Sequence, residues 1–473
     1  MPHSAPTPTD RGSTAPVRPH ERLAFSVFGG VQQFSNTAPV YLANPIFNLA
    51  LGLNPVLIGT VLAVARLWDA VADPFIGHLS DNTTSRWGRR RPYMAAGAIL
   101  MGVSFAAMWW LPRDAGQSFY LGYFLFTVLS FYTGVSLFTV PINALGIELA
   151  GDYHERTRLF GWSGVMHKIV GFTTGWLYPV AQLAVFQGVL TGVRVVGCVC
   201  GTLLILVCLV PVLMLRERPP SAGATVAATQ REPFLQAMKI ILRNRVLLRF
   251  SLACLLTMTS LTTVSSLGLY INIYHIFHGD KVAAAAMMGV WGTTFNAVAL
   301  LSIPGVMWVA RRIGKHRAIM LALGMVSVSA VLKFVLYTPA APYLQLATSL
   351  LHAPGLAAYL VLVGSMTADL VDYDESLNGR RREALIGAAN GWITKMGISL
   401  SFIFAGLVLS ATGFDAALGD HQPPGTVLWM RLFFCGIPAL GTATALLLLR
   451  GYPLTRERVS EIQATLHAPK TAV

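Results

Sequence analysis

The chain has 473 residues, of which 54% are hydrophobic and only 12% are charged, and its formal net charge is +14. Soluble domains contain about 25% charged residues, so this composition all but excludes a soluble protein and indicates a polytopic membrane protein. Most of the basic residues lie in short segments between apolar stretches. This distribution indicates anionic lipid headgroups as their partners and argues against nucleic-acid binding.

Residues 1–22 are rich in proline, serine and threonine and are predicted to be a disordered cytoplasmic tail. The apolar segment that follows is too long for a signal peptide and lacks a cleavage pattern, so it is predicted to be the first membrane-spanning helix. About 20 apolar residues cross the hydrocarbon core, and twelve stretches of this kind are predicted to span the membrane. They lie at residues 24–50, 56–80, 93–112, 118–150, 159–185, 188–215, 247–277, 283–310, 318–338, 343–371, 384–412 and 426–449.

A long polar segment at residues 216–246 divides the twelve stretches into two groups of six. The predicted fold is therefore all-α, with an N-terminal bundle at 23–215, a C-terminal bundle at 247–450 and a cytoplasmic tail at 451–473. The part from Pro233 to Arg245 is basic and amphipathic, which is typical of a helix on the membrane surface.

The basic residues predict the orientation in the membrane. Of the 35 lysines and arginines, 27 fall on the side that carries both termini, and only Arg113, Arg194 and Lys281 fall on the opposite side. Because positively charged loops stay in the cytoplasm, both termini are predicted to be cytoplasmic and the protein to span the cytoplasmic membrane.

The two groups of stretches repeat the same loop pattern. Basic loops at Gly88–Arg91 and Arg311–Lys315 follow the second and the eighth stretch. Asp152–Tyr153 and Asp372–Tyr373 follow the fourth and the tenth, about 220 residues apart. Duplicated halves around a central substrate path are typical of secondary transporters. The pattern therefore predicts two pseudo-symmetric six-helix bundles of the major facilitator type.

The second stretch contains three ionisable residues, Arg66, Asp69 and Asp73. Charged side chains in the middle of a membrane are expensive and usually mark a functional site. The i, i+4 spacing puts both carboxylates on one helix face, which predicts a site for Na⁺ or H⁺. The alternative is structural: Arg66 forms a fixed salt bridge with one aspartate, and the other aspartate caps a helix N-terminus.

Lys395 lies in the middle of the eleventh stretch and would be equally costly without a partner. Its expected partners are Asp69 and Asp73, across the interface between the two bundles. Arg66, three residues before Asp69, is predicted to join Lys395 as a charge that pairs with the aspartates. The alternative for Lys395 is that it extends to the membrane surface or pairs with another local group.

Several segments resemble the glycoside–pentoside–hexuronide:cation symporters. The most specific is Asp73–Asp81 followed by Trp87–Pro92, and Pro141–Gly146 and Ala368–Tyr373 support it. The resemblance covers all twelve stretches and implies a major facilitator fold and cation-coupled uptake of sugars.

The resemblance also implies that Asp69 and Asp73 bind the coupling cation and that Lys395 lies close to them. Ser136 and Thr139, one turn apart on the fourth stretch, complete the predicted cation site. No metal beyond a possible Na⁺ is predicted there.

The chain departs from the family at the sugar-binding positions. By ungapped alignment, two acidic positions of the galactoside transporters fall on Gln33 and Thr139, a tryptophan falls on Asn143, and an arginine falls on Gly164. Coupling to some cation is therefore better supported than transport of any particular sugar. The smaller number of carboxylates favours H⁺ over Na⁺.

Polar residues in the first, fourth, fifth and eleventh stretches are the predicted substrate contacts. They are Gln33, Asn36, Asn143, His167 and Trp392. The basic loops and nearby acidic residues are predicted to form a cytoplasmic gate when the site faces outward. Its predicted members are Arg89, Arg90, Arg91, Asp152, Arg156, Asp372 and Arg381. The alternative for the loop arginines is a role in topology and lipid contact.

These features predict a cation-coupled symporter of a sugar, glycoside, uronide or similar small polar solute, working as a monomer by alternating access. The first alternative is a lysolipid or amphiphile carrier, which an apolar gap between the bundles would favour. The second is a membrane sensor or assembly factor that does not transport. Walker A, G-x-S-x-G and H-E-x-x-H motifs are absent from the sequence, so neither an enzyme nor a cofactor is predicted.

Overall fold

The computed structural model describes residues 17–112, 115–150, 153–215, 217, 240, 242–379, 382–419 and 421–467. These residues form helices and connecting turns, and no strand occurs among them. Twelve helices in this part of the chain have 18 or more residues, and a shorter helix follows them. They are α1 Pro19–Ala43, α2 Pro55–Asn82, α3 Arg91–Met108, α4 Gln117–Leu149, α5 Tyr153–Thr174, α6 Val189–Met214, α7 Arg245–Thr263, α8 Lys281–Ile313, α9 Lys315–Leu336, α10 Ser349–Asn378, α11 Glu383–Ala411, α12 Pro424–Leu449 and the shorter α13 Arg456–His467.

Each predicted stretch overlaps one of the twelve long helices. Within the described ranges, nine helical segments are long and apolar enough to cross a membrane, so the chain is a multi-pass membrane protein. The helices outside this group are α1, α3 and α5. Helix α3 has only 18 residues, and α1 and α5 carry charged side chains such as Arg22 and Glu155.

Helix α1 begins at Pro19, three residues before the predicted end of the N-terminal tail. The Glu21 carboxylate accepts a hydrogen bond from the backbone N–H of Arg18 (2.9 Å), which caps the helix start. Arg22 pairs with Glu155 at the start of α5 (3.0 Å). These polar contacts allow the helix to begin before the apolar stretch does.

The C-terminal segment contains a helix where only a tail was predicted. In α13, the Gln463 amide donates to Asp372 near the end of α10 (2.9 Å). The predicted surface segment Pro233–Arg245 lies mostly outside the described residues.

The two halves of the chain pack in the same pattern. In the N-terminal half, α3 packs on α4 and α6, α1 on α5, and α2 on α4. In the C-terminal half, the helices six positions later make the same pairs: α9 with α10 and α12, α7 with α11, and α8 with α10. Contacts between the halves obey the same relation, because α2 packs on α11 and α8 packs on α5. The predicted pair of pseudo-symmetric bundles is confirmed.

The bundles touch near one membrane face and separate towards the other. We call the side that carries Pro19 and α13 the terminal face, and the opposite side the far face. At the far face, a Cβ added to Gly59 of α2 would lie 2.2 Å from the carbonyl oxygen of Phe402 in α11. Towards the terminal face, a Cβ on Gly387 or Gly391 of α11 would meet no atom within 4 Å. A central cavity therefore opens to the terminal face.

Close packing within the N-terminal bundle requires glycine at Gly134 of α4. A Cβ there would lie 2.5 Å from the backbone nitrogen of Met101 in α3. We expect Gly134→Val to destabilise the protein by about 1–3 kcal/mol, because the two helix backbones must separate to admit the side chain. Thermal unfolding in detergent measures the effect. Gly122→Val on the same helix is the control, since a Cβ at Gly122 meets nothing within 4 Å. Equal unfolding midpoints for the two variants would contradict this prediction.

Candidate cation and substrate site

Helix α2 carries the charged residues of the candidate site. It begins after Asn54, whose side chain accepts a hydrogen bond from the backbone N–H of Val56 (2.8 Å). Arg66, Asp69 and Asp73 follow at spacings of three and four residues, so they share one helix face. All three lie inside the helix. The alternative in which one aspartate caps a helix N-terminus is therefore wrong.

Lys395 of α11 joins the two halves of the molecule through both carboxylates. Its Nζ donates to Asp73 Oδ2 at 2.9 Å and to Asp69 Oδ2 at 3.3 Å. The Ser136 hydroxyl of α4 donates to Asp69 Oδ1 at 3.0 Å. The side chains of Asp69, Asp73 and Lys395 are 14%, 31% and 44% exposed, so the cluster borders the open cavity. Within the part of the chain that the structure describes, only these ion pairs connect the bundles.

Pro74 leaves one backbone oxygen of α2 without a helical hydrogen bond. Pro74 follows Asp73 directly and has no N–H to donate. The carbonyl oxygen of Ala70, four residues earlier, therefore lacks its usual helical partner. The site combines two carboxylates and one hydroxyl, which are oxygen types that hard cations prefer.

Arg66 takes no part in this ion-pair cluster. Its guanidinium donates to the carbonyl oxygens of Ser35 (3.4 Å) and Asn36 (3.3 Å) in α1. It also lies 4.6 Å from the centre of the Tyr132 ring, whose hydroxyl donates to the Ser35 carbonyl (3.1 Å). The predicted pairing of Arg66 with the aspartates is wrong, and so is the alternative of a fixed salt bridge. Helix α1 and the Tyr132 ring hold the guanidinium instead.

Thr139 also lies apart from the carboxylates. Its hydroxyl donates to the carbonyl of Val135, one turn earlier in α4 (2.8 Å). Threonine in a helix readily makes this local bond. Of the two hydroxyls predicted for the cation site, only that of Ser136 reaches Asp69.

The five predicted substrate contacts lie on α1, α4, α5 and α11. They are Gln33, Asn36, Asn143, His167 and Trp392. Asn36 and Trp392 are closest to the charges, because Arg66 binds the Asn36 backbone and Trp392 lies one turn before Lys395. Gln33 is half-buried one turn from Asn36.

The other two predicted contacts are more distant from the cluster. Asn143 is half-buried two turns beyond Ser136 on α4, towards the terminal face. The imidazole of His167 in α5 lies beside the backbone of Gly29 in α1. It therefore lies about two helical turns of α1 from the Asn36 backbone, so the five residues do not form one compact group.

Three further residues near the cavity were not predicted from the sequence: Trp68, Thr133 and Lys168. Trp68 donates from its indole to the Thr133 hydroxyl (2.8 Å), which fixes α2 on α4. Lys168 of α5 is an ionisable residue inside an apolar stretch. This is the signal that singled out Lys395, so Lys168 could have been found in the same way.

The predicted gate residues form ion pairs within each bundle instead of between bundles. Arg89 pairs with Glu148 of α4 at 2.5 Å, and Arg90 pairs with Glu148 at 2.6 Å and with Asp81 of α2 at 3.0 Å. Arg91 donates to the carbonyl oxygen of Val212 in α6 (2.6 Å). The expected contact between bundles is absent from the described residues because the bundles are apart at the terminal face.

Glu217 holds the same loop from the polar segment after α6. Its carboxylate accepts backbone hydrogen bonds from Arg89 (2.9 Å), Arg90 (2.7 Å) and Arg91 (3.3 Å), which satisfies the free N–H groups at the start of α3. Glu217 was not predicted, because a single acid in a polar segment has no periodic pattern around it.

The C-terminal bundle has its own pairs at the terminal face. Lys315 donates to both carboxylate oxygens of Asp369 at 2.7 and 2.8 Å. The predicted gate residue Asp372 contacts α13, and Arg156 is exposed. The predicted gate residues Asp152 and Arg381 lie outside the described residues.

A second, apolar cavity of about 70 Å³ lies between the bundles near the far face. Tyr41 of α1, Tyr178 after α5, and Met288 and Trp291 of α8 contribute large side chains to its wall. An apolar gap between the bundles is the feature predicted for an amphiphile carrier. The molecule therefore combines a charged central site with an apolar chamber.

Comparison with known proteins adds family relationships to this geometry. The sequence model of the family described as MFS/sugar transport protein matches residues 29–456. The chain is 24% identical to the isoprimeverose transporter of Lactiplantibacillus pentosus, over 89% of this chain and 86% of that protein. It is 22% identical to the glucuronide carrier protein homologue of Escherichia coli, over 87% of each chain.

Two further similarities extend the range of relatives. The chain is 23% identical to the sphingosine-1-phosphate transporter MFSD2B of Xenopus tropicalis, over 94% of this chain and 90% of that protein. A solved structure of a bacterial homologue of the human lysosomal transporter Spinster, inward-facing and unoccupied, has a TM-score of 0.67 at 15% identity. It covers 95% of this chain and 98% of that one, so the two share the fold.

Proposed function

Since the chain belongs to the MFS/sugar transport protein family, we propose that it is a cation-coupled symporter for a sugar, glycoside, uronide or similar small polar solute. The observation that carries the proposal is the pairing of Lys395 with Asp69 and Asp73 across the two bundles. Three ionisable groups at this depth are costly, and a protein that moved no ion would have no use for them.

In this mechanism the coupling cation and Lys395 compete for the same carboxylates. One ammonium neutralises only one of the two negative charges, which leaves the other to attract a cation. A cation or proton on Asp69 or Asp73 weakens the hold of the carboxylates on Lys395. Because Lys395 belongs to the other bundle, its release loosens α2 from α11 and lets the bundles re-orient.

The conformation of the molecule corresponds to one stage of this cycle. The basic loops assign the terminal face to the cytoplasm, so the central cavity opens inward and both termini are cytoplasmic in this proposal. Lys395 occupies the carboxylates, as expected after substrate and cation have left. The arginines of the terminal face are then free to change partners when the cavity closes.

We favour H⁺ as the coupling ion. Na⁺ requires several oxygen ligands at once, whereas a proton needs a single carboxylate. The side-chain oxygens gathered here are those of Asp69, Asp73 and Ser136, since Thr139 bonds within its own helix.

A lysolipid or amphiphile carrier is the second candidate. The apolar cavity between the bundles favours it, because an acyl chain or other apolar group needs such a wall. The relative that carries sphingosine-1-phosphate is an example of an amphiphile transporter with a related sequence. This candidate keeps the same fold and the same ion-coupling residues.

Uptake into proteoliposomes tests the proposal. Vesicles that contain the purified protein receive an inward H⁺ gradient, an inward Na⁺ gradient or neither, and labelled glycosides are added outside. We expect accumulation with one gradient, and a gradient of one pH unit supports up to about tenfold accumulation for one H⁺. Collapse of the gradient with an ionophore is the control. Glycoside uptake that is the same with and without the H⁺ and Na⁺ gradients would refute coupling. Uptake of lysolipids but not of glycosides would favour the second candidate.

A further inference from the structure

A large pocket opens at the far face where the two bundles meet, and we call it the outer pocket. Its volume is about 650 Å³, within the range of about 300–1,000 Å³ that is typical of small-molecule sites. The N-terminal half contributes the turn after α1, the segment 178–188 and the start of α6. The C-terminal half contributes Lys281 and Val282 at the start of α8. The outer pocket therefore belongs to both bundles and lies apart from the charged cluster of α2 and α11.

The outer pocket adjoins the apolar cavity between the bundles. Pro45 and Tyr178 line both of these spaces, so they form the wall that separates them. Tyr178 is only 8% exposed, which shows that its ring is packed into this wall. The outer pocket thus lies directly outside the closed contact between the bundles. A solute that enters from the far face reaches this pocket before it reaches the interior.

Close packing and an unusual backbone conformation shape the wall of the outer pocket. A Cβ on Gly192 of α6 would overlap the carbonyl oxygen of Ala181, so α6 packs directly on the backbone of the preceding segment. Gln187 has a φ of 56°, a left-handed conformation that glycine adopts more readily. A glutamine kept in this conformation on the lining of a pocket indicates that its side chain has a use there.

Uncharged polar side chains provide most of the chemistry of the outer pocket. Gln182, Gln187 and Thr191 line it together. The buried Nε2 of Gln182 lies beside the Tyr178 hydroxyl, yet it forms no hydrogen bond of normal geometry with the residues that the structure describes. A buried donor without a partner is costly. A bound molecule that accepts this hydrogen bond therefore gains affinity.

This lining suits a neutral molecule that carries several hydroxyl groups. Each glutamine amide offers two donors and an acceptor, which match the hydroxyl groups of a sugar. Leu183 and Leu190 add apolar surface for the C–H groups of a ring or for an aglycone. Among the described residues of the lining there is no carboxylate, and Lys281 is exposed to solvent, where a single charge contributes little to binding.

We propose that the outer pocket is a second solute site, which binds a neutral polyhydroxylated molecule such as a glycoside before the bundles open at the far face. The ligand class rests on the proposed symport function, whereas the site is separate from the one that carries that proposal. Gln182 and Gln187 bind the solute, and Tyr178 separates it from the interior. When the bundles part at the far face, the solute is already beside the opening.

Protection of a cysteine from labelling tests the proposal. Ala184→Cys places a thiol on the exposed lining of the outer pocket. Gly425→Cys is the control, because it lies on the same face at the start of α12 and a Cβ there meets nothing within 4 Å. Proteoliposomes receive a membrane-impermeant maleimide with or without 4-nitrophenyl β-D-glucoside, and the native chain is the blank for the five native cysteines.

We expect the glucoside to slow the labelling of Ala184→Cys by about tenfold at about ten times the Kd of the site, because only the empty site reacts. Gly425→Cys is expected to react at an unchanged rate. In the Ala184→Cys background, Gln182→Ala and Gln187→Gly are each expected to raise the glucoside concentration for half protection by about two- to tenfold. Glycine fits the left-handed backbone at position 187, so this variant keeps its fold. Gln117→Ala, in a different far-face pocket, is the control and is expected to change nothing.

The possible failures are distinct. Labelling of Ala184→Cys that the glucoside does not slow would overturn this inference, and the symport proposal stands if the same vesicles accumulate glycosides under a gradient. Equal slowing of Gly425→Cys, equal protection by 4-nitrophenol alone, or protection that survives both glutamine substitutions would also overturn it. Absence of both protection and gradient-driven uptake of any glycoside would overturn the proposed function together with this inference.

Discussion

Proteoliposomes that contain the Asp73→Asn variant are expected to lose ion-driven accumulation of substrate, so that under a gradient of one pH unit it falls from up to about tenfold to none. Asparagine keeps the size of the side chain but removes its charge and its ability to take up a proton. The contact of 2.9 Å to Lys395 then loses its ionic character, and Asp69 is left to hold the ammonium alone. Uptake of labelled glycoside under an imposed H⁺ or Na⁺ gradient measures the loss. Substrate equilibration without a gradient separates lost coupling from lost binding.

Asp280→Asn is the matched control for this substitution. The Asp280 side chain accepts hydrogen bonds from the backbone N–H groups of Val282 (3.0 Å) and Ala283 (2.9 Å) at the start of α8. Asparagine caps a helix about as well as aspartate, so this variant is expected to accumulate substrate normally. Accumulation at the native level by Asp73→Asn would remove Asp73 from the coupling mechanism.

The second large effect is expected for Gly59→Val at the far face. A Cβ on Gly59 would lie 2.2 Å from the Phe402 carbonyl oxygen, and one on Gly406 would lie 2.5 Å from that of Pro55. These contacts join α2 to α11 and exist only while the bundles are closed at the far face. Valine therefore disfavours the inward-open state by about 1–3 kcal/mol. This shifts the conformational equilibrium by roughly 5- to 150-fold.

Spin labels on opposite bundles can follow this shift. Gln117 and Ala416 both line one surface pocket at the far face, and each belongs to a different bundle. Double electron–electron resonance between cysteines at these positions is expected to show a longer distance in Gly59→Val than in the native background. Gly324→Val in α9 is the control, since a Cβ there meets nothing within 4 Å. Identical distance distributions in all three proteins would contradict the idea that this glycine contact closes the far face.

The fold was predictable because a bilayer allows few solutions. Apolar runs of sufficient length have to be helices, and the repeated loops at Gly88–Arg91 and Arg311–Lys315 indicate two equivalent halves. The contact of Lys395 with the aspartates was predictable for a similar reason. A charge that is costly to leave alone must find one of the few opposite charges at its depth.

The partners of Arg66 were not predictable in this way. A guanidinium can also be satisfied by backbone carbonyls and an aromatic face, and these are present in every helix. Only the three-dimensional packing of α1, α2 and α4 decides between them and a carboxylate. The same applies to Thr139, whose hydroxyl is satisfied within its own helix.

The partners of the gate residues were unpredictable for a different reason. Arg89 and Arg90 have acidic partners in this conformation, but Glu148 and Asp81 lie in the same bundle. A sequence lists the charges that could meet, whereas the state of the transporter decides which of them do. Predictions about contacts that change during the cycle therefore require a structure of each state.

The coupling site formed by Lys395, Asp69 and Asp73 has a consequence for the role of the membrane voltage. If one proton accompanies one monovalent anion, the loaded and the empty site carry the same charge, and a transport cycle moves no net charge across the membrane. The pH difference alone then drives uptake. A neutral sugar carried with one cation would instead be drawn in by a negative interior, at about 2.3 kcal/mol per 100 mV. The combined charge of the solute and the coupling cation that bind here thus decides whether the cell's electrical potential contributes to transport.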